Sequence, residues 1–303
     1  MKIAFTTELP KDGFARLADH QLGVPMSEAD VLVSTFDFRV TAEMISSMPQ
    51  LKLVANFGVG FNNIDLDACR ARGICVTNTP QPVIEPTAEL AFSLMHAVAR
   101  RTAELDRRLR EGTCEPFGVM NNLGHTLYDK TLGIIGMGRI GQALARRAVA
   151  AGMHIVYHNR HRLAEAIEQQ YGARYVTMDE LLAMSDYVSL NLPYTADVHH
   201  IIGSAELSKM KPSSYLINTA RGAHVDEAAL VQALQQGVIA GAAMDVYEHE
   251  PQITPALKAL DNVVLSPHVG TGTWEGRIAM EENVSDNILY FAAGETDKMN
   301  IVI

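Results

Sequence analysis

Short runs of apolar and β-branched residues alternate along the chain with longer stretches whose apolar positions recur at helical spacing. This is the pattern of parallel strands covered by crossover helices, an α/β fold. In the first third, residues 2–5, 30–34, 53–56 and 74–77 read as strands. Over residues 87–101, Leu90, Ala91, Leu94, Met95 and Val98 share one helical face, and the charged run Arg107-Arg108-Leu109-Arg110 follows. That helix is placed to lead from one domain into the next. A second strand series runs through residues 132–135, 154–157, 187–190, 214–218, 242–245 and 263–266, and six strands suit one dinucleotide-binding domain. Residues 274–293 read as a further amphipathic helix, placed to return to the first domain. No tandem repeat, low-complexity tract or long linker interrupts the series.

Composition narrows the function classes. A chain of 303 residues, 48% hydrophobic and 20% charged, can bury one or two cores without metals or disulfides. Twenty-five Lys and Arg against 35 Asp and Glu leave a net charge of −10, which repels polyphosphate backbones and anionic lipid. Neither nucleic acid nor membrane is therefore an expected partner. An anionic ligand needs a local cluster of Arg, His and backbone N–H groups. Cys69, Cys75 and Cys114 show no metal or disulfide spacing and read as small buried apolar residues. The first residues break their apolar run too early for a signal peptide, and a reducing, cytoplasmic setting is expected.

Gly136-Met137-Gly138-Arg139-Ile140-Gly141 follows an apolar strand and precedes a helix expected from about residue 142. In this context Gly136 allows a tight turn, Gly138 lets backbone approach a pyrophosphate, and Gly141 lets helix and strand pack. Arg139 and Ile140 then lie at the helix N-terminus that faces the anion. After the next strand, where an Asp or Glu would bind the ribose 2′-hydroxyl of NAD, stands His158-Asn159-Arg160-His161-Arg162. With no acid there, Asn159, Arg160 and Arg162 can hydrogen-bond a 2′-phosphate. NADP is the preferred cofactor on this reading, with NAD as the alternative should the arginines be only a solvated surface. The histidines of this run, like His199 and His200, have no evident set of metal-ligand partners, and no metal is expected.

Three later motifs each put a polar residue just beyond a strand, where open α/β sheets bind ligands. Asn218-Thr219-Ala220-Arg221-Gly222 presents Arg221, residues 245–251 present Asp245 and Glu250, and Ser266-Pro267-His268 presents His268. Reducing a 2-keto acid takes a cation that orients the carboxylate and polarises the carbonyl, and a proton donor for the oxygen. Arg221 and His268 fit these tasks. Glu250 is the carboxylate expected to fix the imidazole tautomer and favour its charged form.

With these motifs the chain resembles the D-isomer-specific 2-hydroxyacid dehydrogenases over almost its full length, including residues 57–65, the stretch Glu85-Pro86-Thr87-Ala88-Glu89, the glycine fingerprint and the Arg, Glu and His motifs in order. The resemblance implies two Rossmann-like domains. One is a discontinuous substrate domain, residues 1–98 and 271–303, and the other a dinucleotide-binding domain, residues 99–270. It also implies a cleft that closes on substrate, a homodimer, and catalytic roles for Arg221, Glu250 and His268. Backbone N–H groups at Val59 and Gly60 would bind the substrate carboxylate, and Asp245 would contact nicotinamide. The Asn-Arg-x-Arg run is most similar to NADPH-preferring glyoxylate and hydroxypyruvate reductases. Asp129 stands where many relatives carry glycine, and residues 116–124 lack a tryptophan common there. Phosphoglycerate dehydrogenase-like and nucleotide-sensing corepressor-like readings remain as alternatives. Against the first stands the absence of an appended regulatory domain after Ile303, and against the second the absence of a long disordered tail. A formate dehydrogenase fits poorly with Glu250.

Overall fold

The apolar runs become parallel strands, and the central ones are buried along their whole length, as continuous rather than alternating hydrophobicity requires. The computed structural model describes residues 1–9 and 12–303. The chain divides into two compact units, Met1–Pro86 with Thr271–Ile303, and Thr87–Gly270.

The first unit holds strands β1 (Lys2–Phe5), β2 (Gln21–Leu22), β3 (Val31–Thr35), β4 (Leu53–Phe57) and β5 (Cys75–Thr77), with helices α1 (Ala42–Ser47) and α2 (Leu66–Ala71) between them. The sheet order is β2-β1-β3-β4-β5 and every pairing is parallel. Leu32, Val54, Ile45, Val76 and Cys69 share one core cluster. Each fully buried aliphatic side chain of this kind contributes about 1.5–3 kcal/mol. Helix α3 (Ile84–Ala99) starts here, and the boundary between the units falls in its first turn, whereas the sequence reading placed it at the end of that helix.

The second unit continues with α4 (Thr102–Glu111), β6 (Thr131–Ile135), α5 (Arg139–Ala150), β7 (His154–His158), α6 (Glu165–Tyr171), β8 (Arg174–Tyr175), α7 (Met178–Met184) and β9 (Tyr187–Leu190). It ends with α8 (Ser204–Lys209), β10 (Tyr215–Asn218), α9 (Glu227–Gln235), β11 (Gly241–Met244), α10 (Pro255–Lys258) and β12 (Val263–Leu265). The order β12-β11-β10-β9-β6-β7-β8 is all parallel and reverses between β6 and β9. That switch point is where doubly wound sheets open a crevice beyond their carboxyl ends. Helix α11 (Trp274–Ala293) returns the chain to the first unit and packs on β4.

The two strands absent from the sequence reading, β2 and β8, are two-residue edges. They are too short and too exposed to carry a periodic signal. Helix α5 begins at Arg139, three residues before the expected start. Asp129 has φ 59°, a left-handed conformation that glycine adopts at less cost, and its carboxylate lies 3.1 Å from His154 Nε2. Of the cysteines, Cys69 is buried as expected, while Cys75 and Cys114 are only half-buried. No helix among the described residues is long and apolar enough to cross a membrane.

Candidate active site

Strand β6 delivers the chain into the glycine turn at the switch point. Gly136 has φ 90°, and a Cβ there would lie 2.7 Å from the backbone nitrogen of Leu192 in the segment after β9. A Cβ on Gly141 would lie 2.7 Å from the Gly136 carbonyl oxygen. Gly138 meets nothing within 4 Å, so the space above the turn is open. Gly138 caps α5 without a side-chain hydrogen bond, and the first-turn N–H groups of Arg139 and Ile140 have no acceptor within their own helix. An open cradle of backbone donors at a positive helix end fits a dinucleotide pyrophosphate.

At the end of β7, Asn159 Oδ1 accepts the Met137 N–H at 2.7 Å, which fastens this segment to the glycine turn. Arg160 is exposed, with Nη1 3.9 Å from the Asp197 carboxylate, too far for a hydrogen bond. Arg162 has an unforeseen partner. Its Nε and Nη2 donate to the two oxygens of Glu168 at 2.9 and 2.7 Å, and the Tyr157 hydroxyl donates to the same carboxylate at 2.6 Å. The Tyr157 oxygen in turn accepts the Leu163 N–H at 2.9 Å. The hydrogen bonds from Arg162 and Tyr157 hold the buried Glu168 carboxyl down to about 2. The guanidinium is thereby fixed by one edge, leaving Nη1 and the outer Nη2 hydrogen directed elsewhere.

The chemical groups gather at the carboxyl ends of β10, β11 and β12. Asn218, the last residue of β10, donates from Nδ2 to the Arg221 carbonyl at 2.8 Å and accepts the Ala220 N–H, shaping the turn that carries Arg221. Burial lowers the Arg221 guanidinium pKa, and the charge of Glu250 opposes that shift. A Cβ on the next residue, Gly222, would lie 1.9 Å from the Tyr247 carbonyl carbon, so this turn and the segment leading to Glu250 touch backbone to backbone.

Glu250 Oε2 lies 2.7 Å from His268 Nδ1, and Oε1 accepts the Tyr247 N–H at 2.9 Å. Burial works against ionisation of Glu250, but the hydrogen bond and charge of His268, with Tyr247 and Arg221, hold its carboxyl below the ordinary range. His268 has φ 53°, a strained conformation for a residue with a side chain. Asp245 stabilises it. The His268 N–H donates to the Asp245 carbonyl at 2.8 Å, and the Val269 and Gly270 N–H groups donate to the Asp245 carboxylate at 2.9 Å each. Burial pushes the Asp245 carboxyl up, against those N–H groups. Sequence reasoning singled out Asp245 but not this anchoring of the His268 segment. The Tyr247 hydroxyl, donating to the Ser266 carbonyl at 2.8 Å, ties β11 to the same segment.

Val59 and Gly60 lie in the first unit, in the turn after β4. Asn56 Nδ2 donates to the carbonyls of Gly58 and Gly60 at 3.0 and 2.8 Å, and Asn78 Nδ2 donates to that of Val59 at 2.9 Å. Among the described residues, the Val59 and Gly60 N–H groups make no hydrogen bond within the chain. The carbonyls of this turn are thus tethered while the two N–H groups are left unbonded. Sequence reasoning missed Asn56 and Asn78, although an Asn ending an apolar strand just before Phe57-Gly58 is a visible signal.

Residues 92–270 match the family described as D-isomer specific 2-hydroxyacid dehydrogenase, NAD binding domain. The chain is 48% identical over 272 residues to the glyoxylate reductase of Thermococcus litoralis, covering 88% of this chain and 82% of that one. Among solved structures, a protein from Thermus thermophilus superposes over 100% of both chains with TM-score 0.92 and 37% identity. An NADPH-dependent glyoxylate/hydroxypyruvate reductase from Sinorhizobium meliloti, in complex with citrate, covers 96% of this chain and 95% of its own, with TM-score 0.86 and 32% identity.

Proposed function

The chain belongs to the D-isomer-specific 2-hydroxyacid dehydrogenases, enzymes that reduce 2-keto acids with a nicotinamide cofactor, and we propose that it acts on glyoxylate and hydroxypyruvate with NADPH favoured over NADH. The observation that carries the chemistry is the 2.7 Å contact of Glu250 with His268, the segment leading to Glu250 also packing against the Arg221 turn.

When bound, the nicotinamide supplies the hydride. The turn formed by Gly136, Gly138, Arg139, Ile140 and Gly141 would hold the cofactor's pyrophosphate through backbone donors, and Asp245 is the residue that would contact its nicotinamide. The planar fork of Arg221 grips the substrate carboxylate and keto oxygen, so positive charge stands where negative charge develops. With Nδ1 committed to Glu250, His268 delivers its proton from Nε2 to that oxygen as carbon is reduced, yielding the hydroxyl. Within the first unit, the unbonded Val59 and Gly60 N–H groups are donors that a carboxylate would suit.

The NADPH preference rests on the segment after β7, which carries no acid. Asn159 shapes its start, Arg160 is exposed, and Arg162 is held by one edge with donors to spare for a 2′-phosphate. A homodimer fits the exposed apolar side chains of Phe117, Val119 and Met120 beyond α4. The three unpaired cysteines suit a reducing cytoplasm. The test is kcat/KM for glyoxylate, hydroxypyruvate and phosphohydroxypyruvate, each with NADPH and NADH. Highest efficiency with either of the first two and NADPH is expected, and preference for the phosphorylated acid or for NADH overturns the assignment.

A further inference from the structure

Two segments of the second unit, far apart in sequence, bring together three side chains with no part in the chemistry above. Beyond β9, a 3₁₀ turn (Ala196–Val198) ends at His199 and His200. Beyond β11 comes Glu248. The sequence offers the two histidines no third partner, and folding supplies one. His200 Nε2 lies 2.7 Å from Glu248 Oε1. One ligand atom from each of His199, His200 and Glu248 lies within 4.8 Å of the others.

A simple loop tie accounts for His200 and Glu248. It does not account for His199, an exposed ring with every freedom to swing into water, which instead stacks on His200 with centroids 3.9 Å apart and 21° between planes. Two further contacts hold this arrangement. The Tyr194 hydroxyl lies 3.3 Å from His199 Nδ1, and His200 is locked at φ 50° while its N–H donates to the Ala223 carbonyl at 2.9 Å. A proton on His199 Nδ1, shared with Tyr194, leaves the Nε2 lone pair for a ligand, as outer partners do for metal-bound imidazoles.

We propose that His199, His200 and Glu248 bind one divalent transition-metal ion of the zinc class. Two imidazole nitrogens and one carboxylate oxygen suit zinc and its neighbours, whereas calcium and magnesium take oxygen ligands. Bonds of about 2.0–2.1 Å place ligand atoms roughly 3.3 Å apart around a tetrahedral ion, so from the present 4.8 Å limit the cluster has only a short distance to close. On binding, the ion replaces the His200 to Glu248 hydrogen bond, and the proton of neutral His200 moves from Nε2 to Nδ1. The ion then bridges the segment beyond β9 to the one that carries Glu250, two residues past Glu248.

The experiment is calorimetric titration of zinc chloride into chelator-stripped, tag-free full-length protein, beside H199A, E248Q and the controls H154A and H161A. One site per chain is expected, weakened at least tenfold in H199A and in E248Q and unchanged in the controls. H199A should keep the parent kcat/KM for keto-acid reduction in metal-free buffer, since His199 touches none of the catalytic groups. A zinc-edge anomalous peak among the three side chains locates the ion. Absence of binding below 100 μM zinc, or equal affinity in H199A and the parent, overturns the proposal.

Discussion

Glu250 Oε2 lies 2.7 Å from Nδ1 of His268, while the other oxygen of the same carboxylate is held by the Tyr247 N–H. The imidazole is therefore oriented by a group that is itself fixed. The depressed pKa of Glu250 keeps its negative charge in place at neutral pH, and that charge is lost as pH falls through the depressed value. In Glu250→Gln the hydrogen bond survives without the charge, so the imidazolium loses its electrostatic support. Keto-acid reduction, which needs the protonated ring, then loses activity at lower pH than in the parent. Hydroxy-acid oxidation, which needs the neutral ring, extends to lower pH. Each limb of kcat/KM against pH should move to lower pH in the variant. Chemistry-limited profiles with neither limb displaced would show that the pair is not coupled in catalysis.

Arg221→Lys keeps the charge and removes the planar fork. A lysine ammonium cannot hold a carboxylate and a carbonyl oxygen together in one plane, so kcat/KM on glyoxylate should fall by about 10² or more. Retention of most of the parent value would remove Arg221 from its assigned task.

Much of this site was legible in the sequence because ligand sites of parallel sheets lie just past strand ends, and the strand ends themselves could be read. Arg221, Glu250, His268 and the glycine turn all follow from that rule. Hidden were the partners set by packing across segments. Arg162 reads as a ligand for a 2′-phosphate, yet its guanidinium also donates to Glu168 one helical turn into α6, a contact that depends on how α6 leaves β7. The carboxylate of Asp245 reads as a ligand group, yet it holds the backbone of Val269 and Gly270. Backbone donors of this kind leave no trace in residue type.

Substituting Arg160 and Arg162 together by Ala should weaken NADPH with little effect on NADH, since only the 2′-phosphate distinguishes the two. Loss of even one charged hydrogen bond costs about 1.5–3 kcal/mol, so KM for NADPH should rise at least roughly tenfold to a hundredfold. Equal losses for both cofactors would point to a structural effect of breaking the Arg162 to Glu168 pair instead.

Gly222→Ala tests the backbone contact between the Arg221 turn and the segment leading to Glu250. The added methyl would lie 1.9 Å from the Tyr247 carbonyl carbon and 2.1 Å from its oxygen. Backbone cannot yield as a flexible side chain does, so the two segments must part by an ångström or more. Stability should fall by about 1–3 kcal/mol, and kcat should fall further than fold loss explains, because reacting groups displaced by about 1 Å lose about a hundredfold. Thermal unfolding and kcat measured on the same preparation separate the two effects.

His224 offers a test of stability against pH. Its ring is fully buried beside the backbone of Pro193 and Arg221, and the Tyr194 ring lies 5.8 Å away. Burial, reinforced by the nearby Arg221 cation, lowers its pKa from 6.5 to about 4. Between those values the unfolded chain binds a proton that the folded chain refuses, so folding stability falls as pH drops through this window. At about 1.36 kcal/mol per unit, the loss from pH 7 to pH 4.5 is about 2–3 kcal/mol. Carboxylates titrate over part of the same range, so the informative quantity is the difference between His224→Leu and the parent. Leucine fills a similar volume and cannot be protonated. The variant should match or exceed the parent at pH 7, and its advantage should widen by about 2–3 kcal/mol at pH 4.5 in urea unfolding. A gap that stays constant across that range would mean His224 finds a partner for its proton in the folded protein.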